Sequence, residues 1–109
     1  MQKTENVKKI YPIPPELTDV IPGFIARREQ DIKDLQTAVE VKDFSQIERI
    51  AHKLKGNGSS FGFNKLTEIG IDLMAHSHQQ NSSEIKKLIH DFEVEVKQIK
   101  AYTESYNLF

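Results

Sequence analysis

The sequence predicts an all-α fold, an antiparallel up-down-up-down four-helix bundle preceded by a short N-terminal helical turn. Three observations predict it. Four stretches repeat apolar residues at helical spacing, with polar residues on the opposite side of each turn. The connections between them are short, which makes consecutive helices antiparallel neighbours. No segment alternates apolar and polar residues with period two for long enough to make a strand.

From the N-terminus, residues 1–15 are expected to form a flexible lead-in, and residues 16–109 the bundle. Met1 to Ile10 is polar and weakly basic, and Tyr11-Pro12-Ile13-Pro14-Pro15 is extended, because a proline disfavours helix in the residue before it. Glu16 to Val20 makes the helical turn. Pro22 suits the first turn of a helix running to about Val41, whose stripe is Ile21, Phe24, Ile25, Ile32, Leu35 and Val39. Arg28 falls inside that stripe, either lying with its long stem along the rim of the core or reaching toward a site. Lys42-Asp43 is the turn. Asp43 caps a second helix, with Gln46 placed to complete a capping box, and Phe44, Ile47, Ile50, Ala51 and Leu54 form its core face. This helix runs to about Phe61. Gly62 then takes the left-handed position past its end, with Phe63 making the accompanying apolar contact. Asn64 is expected to cap the third helix. Its stripe is Leu66, Ile69, Gly70, Leu73 and Ser77, widened by Ile71 and Met74, with Gly70 and Ser77 small enough for close helix approach. His78 to Ser83 reads as a polar loop. Asn81 or Ser82 caps the last helix, which reaches about Tyr106 and is lined by Ile85, Leu88, Ile89, Phe92, Val96, Ile99 and Tyr102.

Composition removes several classes of function. A chain of 109 residues fits one domain with one modest core. A net charge of −1 provides no global field to recruit nucleic acid or an anionic membrane. With no cysteine there is no disulfide, thiolate metal site or cysteine nucleophile, which fits a cytoplasmic location. No apolar run approaches the ~20 residues of a membrane span.

The chemistry concentrates on the second helix. At ~100° per residue, His52 lies ~140° from the centre of the apolar stripe and faces outward. Its neighbours on that side are Ser45, Glu48, Arg49, Lys55, Gly56 and Ser59. A glycine inside a helix costs about 1 kcal/mol relative to alanine, yet Gly56 and Gly58 both occur here. Their presence suits a surface that something must approach closely. An imidazole nitrogen with a free lone pair is a nucleophile, and Lys53 and Lys55 would steady an anion placed on it.

His52-Lys53-Leu54-Lys55-Gly56, followed by Gly62, matches the pattern H-x-L-K-G-x(5)-G. In this the chain resembles histidine-containing phosphotransfer (HPt) domains, over about Ile21 to Tyr102. The resemblance implies a four-helix bundle acting in a two-component phosphorelay. His52 would accept a phosphoryl group from an aspartyl phosphate on a response-regulator receiver and pass it to another receiver. Lys55, Gly56 and Gly62 carry over as the lysine, the glycine and the turn glycine of the pattern. Lys53 sits where the family varies, so its phosphoryl-stabilising part rests on charge alone. Ser45, Glu48, Arg49, Gly56 and Ser59 would form the docking face. The implied partners are receivers and a histidine kinase or hybrid kinase. No cofactor is expected on this chain, and Mg²⁺ is expected on the receiver.

Two other readings share the fold. One is the phosphoryl-input domain of a histidine kinase, fed by ATP on a separate domain. The other is a helical adaptor with no chemistry. No ATP-binding motif is present in the sequence, and a free-standing phosphocarrier is the expectation. Three more histidines stand apart from the motif. His76 and His78 are two apart on a helix and point away from each other, so they cannot share a metal ion. With His90 they read as surface residues.

Overall fold

A computed structural model describes residues 11–105. Within them a 3-10 turn, Pro15–Val20, leads into four helices: α1 (Ile21–Glu40), α2 (Phe44–Phe61), α3 (Asn64–His78) and α4 (Ser82–Ser105). No strand occurs among the described residues. The expected end of the last helix at Tyr106 and the lead-in from Met1 to Ile10 lie outside the described residues.

The three connections are built alike. Lys42, Gly62 and Gln80 each take a positive φ, of 57°, 76° and 53°. The amide after each bonds back to the helix it has just left, Asp43 to Ala38 O at 2.8 Å, Phe63 to Gly58 O at 2.8 Å and Asn81 to His76 O at 3.0 Å. This is the Schellman closure. The residue that ends one helix so also starts the next. Asp43 Oδ1 accepts from the Gln46 amide at 3.1 Å, Asn81 Oδ1 accepts from the Glu84 amide at 3.2 Å, and Phe63 O accepts from the Leu66 amide at 3.0 Å.

Two expected caps are corrected by this geometry. Asn64 is the first residue of α3 and not its cap, because Phe63 occupies the cap position and is buried there. The reciprocal half of the Asp43–Gln46 capping box has no donor to use, since the Asp43 amide already bonds Ala38 O. Of the alternatives for α4, Asn81 is the cap. The loop before α4 is residues 79–81, with His78 still helical.

The predicted stripes form the core. Ile21, Phe24, Ile25, Ile32, Leu35 and Val39 are buried, as are Ile47, Ile50, Ala51 and Leu54. Leu66, Ile69, Leu73, Ile85, Ile89, Phe92, Val96 and Ile99 complete it, with Phe44, Met74, Leu88 and Tyr102 packed partly against it. Ile71 does not belong to it. It is 47% exposed. Arg28, in contrast, is largely buried along the α1 face. Its Nε donates to Asp31 Oδ2 at 2.8 Å, and its guanidinium lies 4.9 Å from the centre of the Phe24 ring. With 6% of its side chain exposed and its Nε paired on its own helix, it lies at the rim of the core, as the first of the two expectations had it.

α2 and α4 each pack on both α1 and α3. Phe24, early in α1, meets Phe61, the last residue of α2, at 4.3 Å between ring centres. Ser77, late in α3, donates to Phe44 O at the start of α2 at 2.8 Å. Between α1 and α4, Glu29 pairs with Lys100 at 3.5 Å and Glu40 with Lys86 at 3.6 Å.

Of the lead-in expected over residues 1–15, the structure describes residues 11–15, with Ile13 and Pro14 half-buried and Pro12 and Pro15 exposed. Tyr11 is buried, edge-on to both Phe63 and Tyr102. Its hydroxyl donates to Glu95 Oε2 at 3.0 Å, and Glu95 is itself buried. Burial first, and then the Glu95 carboxylate, push the Tyr11 phenol well above its ordinary range. The prolines keep the segment extended, and one large aromatic ring supplies enough buried area to hold it down.

Candidate functional site

The site is set by how closely α3 lies on α2. Gly70 leaves no room for a side chain: a Cβ there would stand 2.8 Å from Ala51 O and 2.8 Å from the Lys55 amide nitrogen. Gly58 is the matching case on α2. A Cβ on it would stand 2.7 Å from both the amide nitrogen and Oγ1 of Thr67, and 2.9 Å from Phe63 O. Gly58 is thus a buried helix contact and not part of a surface that something could approach, contrary to the expectation. A Cβ at Gly56 would meet nothing within 4 Å.

His52 is exposed on the outer side of α2. It lines a cleft of ≈ 280 Å³ together with Lys55, Gly56, Ser59 and Thr67. Lys55 comes three residues after His52, so it lies one helical turn on along the same side. Lys53 is exposed but does not line the cleft. Ser45 and Arg49 are exposed on the preceding two turns. Glu48, one turn before His52, is held from the neighbouring helix: its Oε2 lies 2.9 Å from Nε2 of His78. Gly62 closes the helix past the far end of this face.

Thr67 is the site residue that sequence reasoning missed. It enters from α3, and its Oγ1 donates to Lys55 O at 3.1 Å. The signal was available only indirectly. A Schellman closure at Gly62 folds α3 back against the last turns of α2, which places the first turns of α3 beside Lys55.

The remaining histidines behave differently from one another. His78 is exposed and paired with Glu48, and His90 is exposed. His76 is half-buried, with Nδ1 shut off from solvent and without a hydrogen-bond partner. Among the described residues no group of three or more histidines and carboxylates is placed to hold a metal ion. No helix among them is long and apolar enough to cross a membrane.

This geometry agrees with what comparison finds. The family model described as Hpt domain matches residues 20–102, most of the chain. The chain belongs to the Hpt domain family. Members are helical phosphocarriers without an ATP site of their own, performing histidine phosphotransfer in phosphorelays with two-component kinases and receiver domains. Neither the curated proteins nor the solved structures searched contain a match to it.

Proposed function

We propose that this chain is a phosphorelay intermediate whose phosphoryl-accepting residue is His52. It takes the group from an aspartyl phosphate on one receiver and delivers it to another. The observation that carries this reading is the placement of His52: exposed, at the edge of a cleft, with a lysine one turn on and an open glycine beside it.

In the forward step the Nε2 lone pair of His52 attacks phosphorus, with the ring proton on Nδ1. The N–P bond forms as the P–O bond to the receiver's aspartate breaks, and that electron pair leaves as carboxylate. The reverse step returns the phosphoryl group to a second carboxylate. Phosphoryl transfer of this kind depends on positioning and charge stabilisation. Lys55 supplies a charge-assisted hydrogen bond to the phosphoryl oxygens, and Lys53 adds positive field from outside the cleft. Gly56 clears the path for receiver loops, while Ser45, Glu48, Arg49 and Ser59 meet the docked domain. The receiver brings the divalent cation, since no described residues here form a cluster to hold one.

The helices then run up-down-up-down, an order that the Phe24–Phe61, Phe44–Ser77 and Glu40–Lys86 contacts support. The chain works in the cytoplasm, as its cysteine-free composition suggests.

The test uses a receiver carrying labelled phosphate. Label is expected to move onto this chain as an acid-labile, base-stable phosphoramidate, and not onto His52→Gln. Equal labelling of the variant, or no transfer to the parent protein, would overturn the proposal. Transfer only from a kinase core supplied with ATP would make the chain a kinase input domain instead. Receiver binding without any transfer would make it an adaptor.

A further inference from the structure

The outer side of α3 is tied to the outer side of α2 at two places. Thr67 Oγ1 donates to Lys55 O at 3.1 Å, and Nε2 of His78 lies 2.9 Å from Oε2 of Glu48. Glu48 and Lys55 bracket His52 on α2, as Thr67 and His78 bracket Ile71 on α3. Deeper in the same seam, a Cβ on Gly70 would stand 2.8 Å from Ala51 O and from the Lys55 amide nitrogen, and Ser77 donates to Phe44 O at 2.8 Å. As α3 advances, its partners on α2 step back from Lys55 through Ala51 to Phe44. That register sets Ile71 level with His52. Each of the two points about 140° from the apolar centre of its helix, and both are exposed. Ile71 is one turn on from Thr67, which lines the His52 cleft. Ala75, exposed, and Met74, half-buried, are its neighbours at the next turn and widen it into a small apolar surface. The other large exposed apolar residues, Val20, Val41 and Val94, lie on other elements, and such scattered single residues are ordinary.

We propose that Ile71, with Met74 and Ala75, is the apolar anchor on which a receiver domain seats while it exchanges phosphate with His52. The proposal rests on the reading of His52 as an acceptor from receivers. It carries the docking face across the seam from α2 to α3, and it requires of the receiver an apolar side chain close to its aspartyl phosphate.

Area argues for this occupant. Helices in glycine-mediated contact have axes about 8 Å apart, so two residues level with each other on the same side stand on the order of 10 Å apart. Even a transient interface of about 600 Å² per partner, taken as a disc, reaches about 14 Å from its centre. A receiver interface centred on His52 therefore covers Ile71. The α2 side of that face, Ser45, Glu48, Arg49, Gly56 and Ser59, offers no large apolar side chain. Ile71 supplies the apolar burial that α2 lacks. The Thr67–Lys55 and His78–Glu48 contacts stand at either end of it, so the surface has an apolar middle and a polar margin, as protein interfaces do.

The test measures initial rates of phosphorylation of the parent protein, Ile71→Ala, Ile71→Leu and Val94→Ala by two donors. One is a phosphorylated receiver domain at varied concentration. The other is phosphoramidate, a small donor that needs no docking surface and exchanges its P–N bond for one to imidazole with release of ammonia. Ile71→Ala is expected to raise the half-saturating receiver concentration about tenfold, with the limiting rate and the phosphoramidate rate kept. Ile71→Leu should stay close to the parent. Val94→Ala, which removes an exposed apolar side chain from α4, should change neither rate. A half-saturating concentration within about twofold of the parent in Ile71→Ala, an equal rise in Val94→Ala, or a parallel loss with both donors would overturn the role of Ile71 and leave His52 untouched. If the parent takes phosphate from phosphoramidate but from no receiver, the receiver reading falls and this surface with it. If it takes phosphate from neither, the assignment of His52 falls as well.

Discussion

Two glycines two residues apart on α2 allow helix propensity to be separated from packing. Replacing either Gly56 or Gly58 by alanine gains the same intrinsic term, about 1 kcal/mol in a helix interior, and restricts the unfolded chain equally. The folded state receives the two methyl groups differently. At position 56 the new group meets nothing within 4 Å, so Gly56→Ala keeps the gain. At position 58 it would stand 2.7 Å from the Thr67 amide nitrogen and 2.9 Å from Phe63 O. Both are main-chain atoms fixed by the α2–α3 connection, so α3 must shift. Forced overpacking of this kind costs about 1–3 kcal/mol. Because the shared terms cancel, the stability difference between the two variants is that cost alone. Urea unfolding of both proteins, read by helical circular dichroism, measures it. Gly56→Ala should be more stable than the parent, by about 4 °C or more in melting temperature for a domain of this size. Gly58→Ala should fall about 1–3 kcal/mol below Gly56→Ala. Two variants within about 0.5 kcal/mol of each other would show that α3 does not lie against Gly58 and would refute the reasoning.

The buried polar pairs give further expected outcomes. The Tyr11 phenol titrates above its unfolded value near 10. The folded state therefore retains a proton that the unfolded state has lost. Stability is complete below about pH 10 and falls above it, by up to about 1.4 kcal/mol per pH unit. Tyr11→Phe should flatten that alkaline slope in urea titrations between about pH 9 and 11, and an unchanged slope would place its origin elsewhere. Asp31→Ala leaves the largely buried Arg28 guanidinium against the Phe24 ring without its carboxylate partner. It should cost about 3 kcal/mol, and Arg28→Met added to it should recover most of the loss in the unfolding midpoint.

The parts of this molecule that local spacing encodes were legible in the sequence. The α1 stripe from Ile21 to Val39, the outward position of His52 and the left-handed turn at Gly62 all come from periodicity or from glycine's freedom at positive φ. The rest depends on contacts between distant residues. Tyr11 bonds Glu95 across 84 positions, and neither residue's immediate neighbours in sequence announce the partner. Gly58 and Gly56 look alike in sequence. Only the return of α3 makes one of them interior. Lys42 and Gln80 adopt the same left-handed turn as Gly62, at a cost of about 1–2 kcal/mol each relative to an unstrained residue, so they carry no glycine to mark them. Ile71 lies ~140° from the centre of its helix's stripe, as far off as His52 on α2, so its exposure was itself legible by angle. Thr67 joins the cleft because α3 returns close against α2.

The tether formed by Tyr11 has a practical meaning for anyone dividing this chain. The family match starts at residue 20, nine positions downstream of that ring. A fragment trimmed to the matched limits would strip the cover from Phe63 and remove the hydrogen-bond donor that Tyr11 gives Glu95. It would keep every group near His52 while loosening the opposite side of the residue that joins α2 to α3. Weak activity in such a fragment would report on a missing clamp at its foot and not on the competence of its histidine.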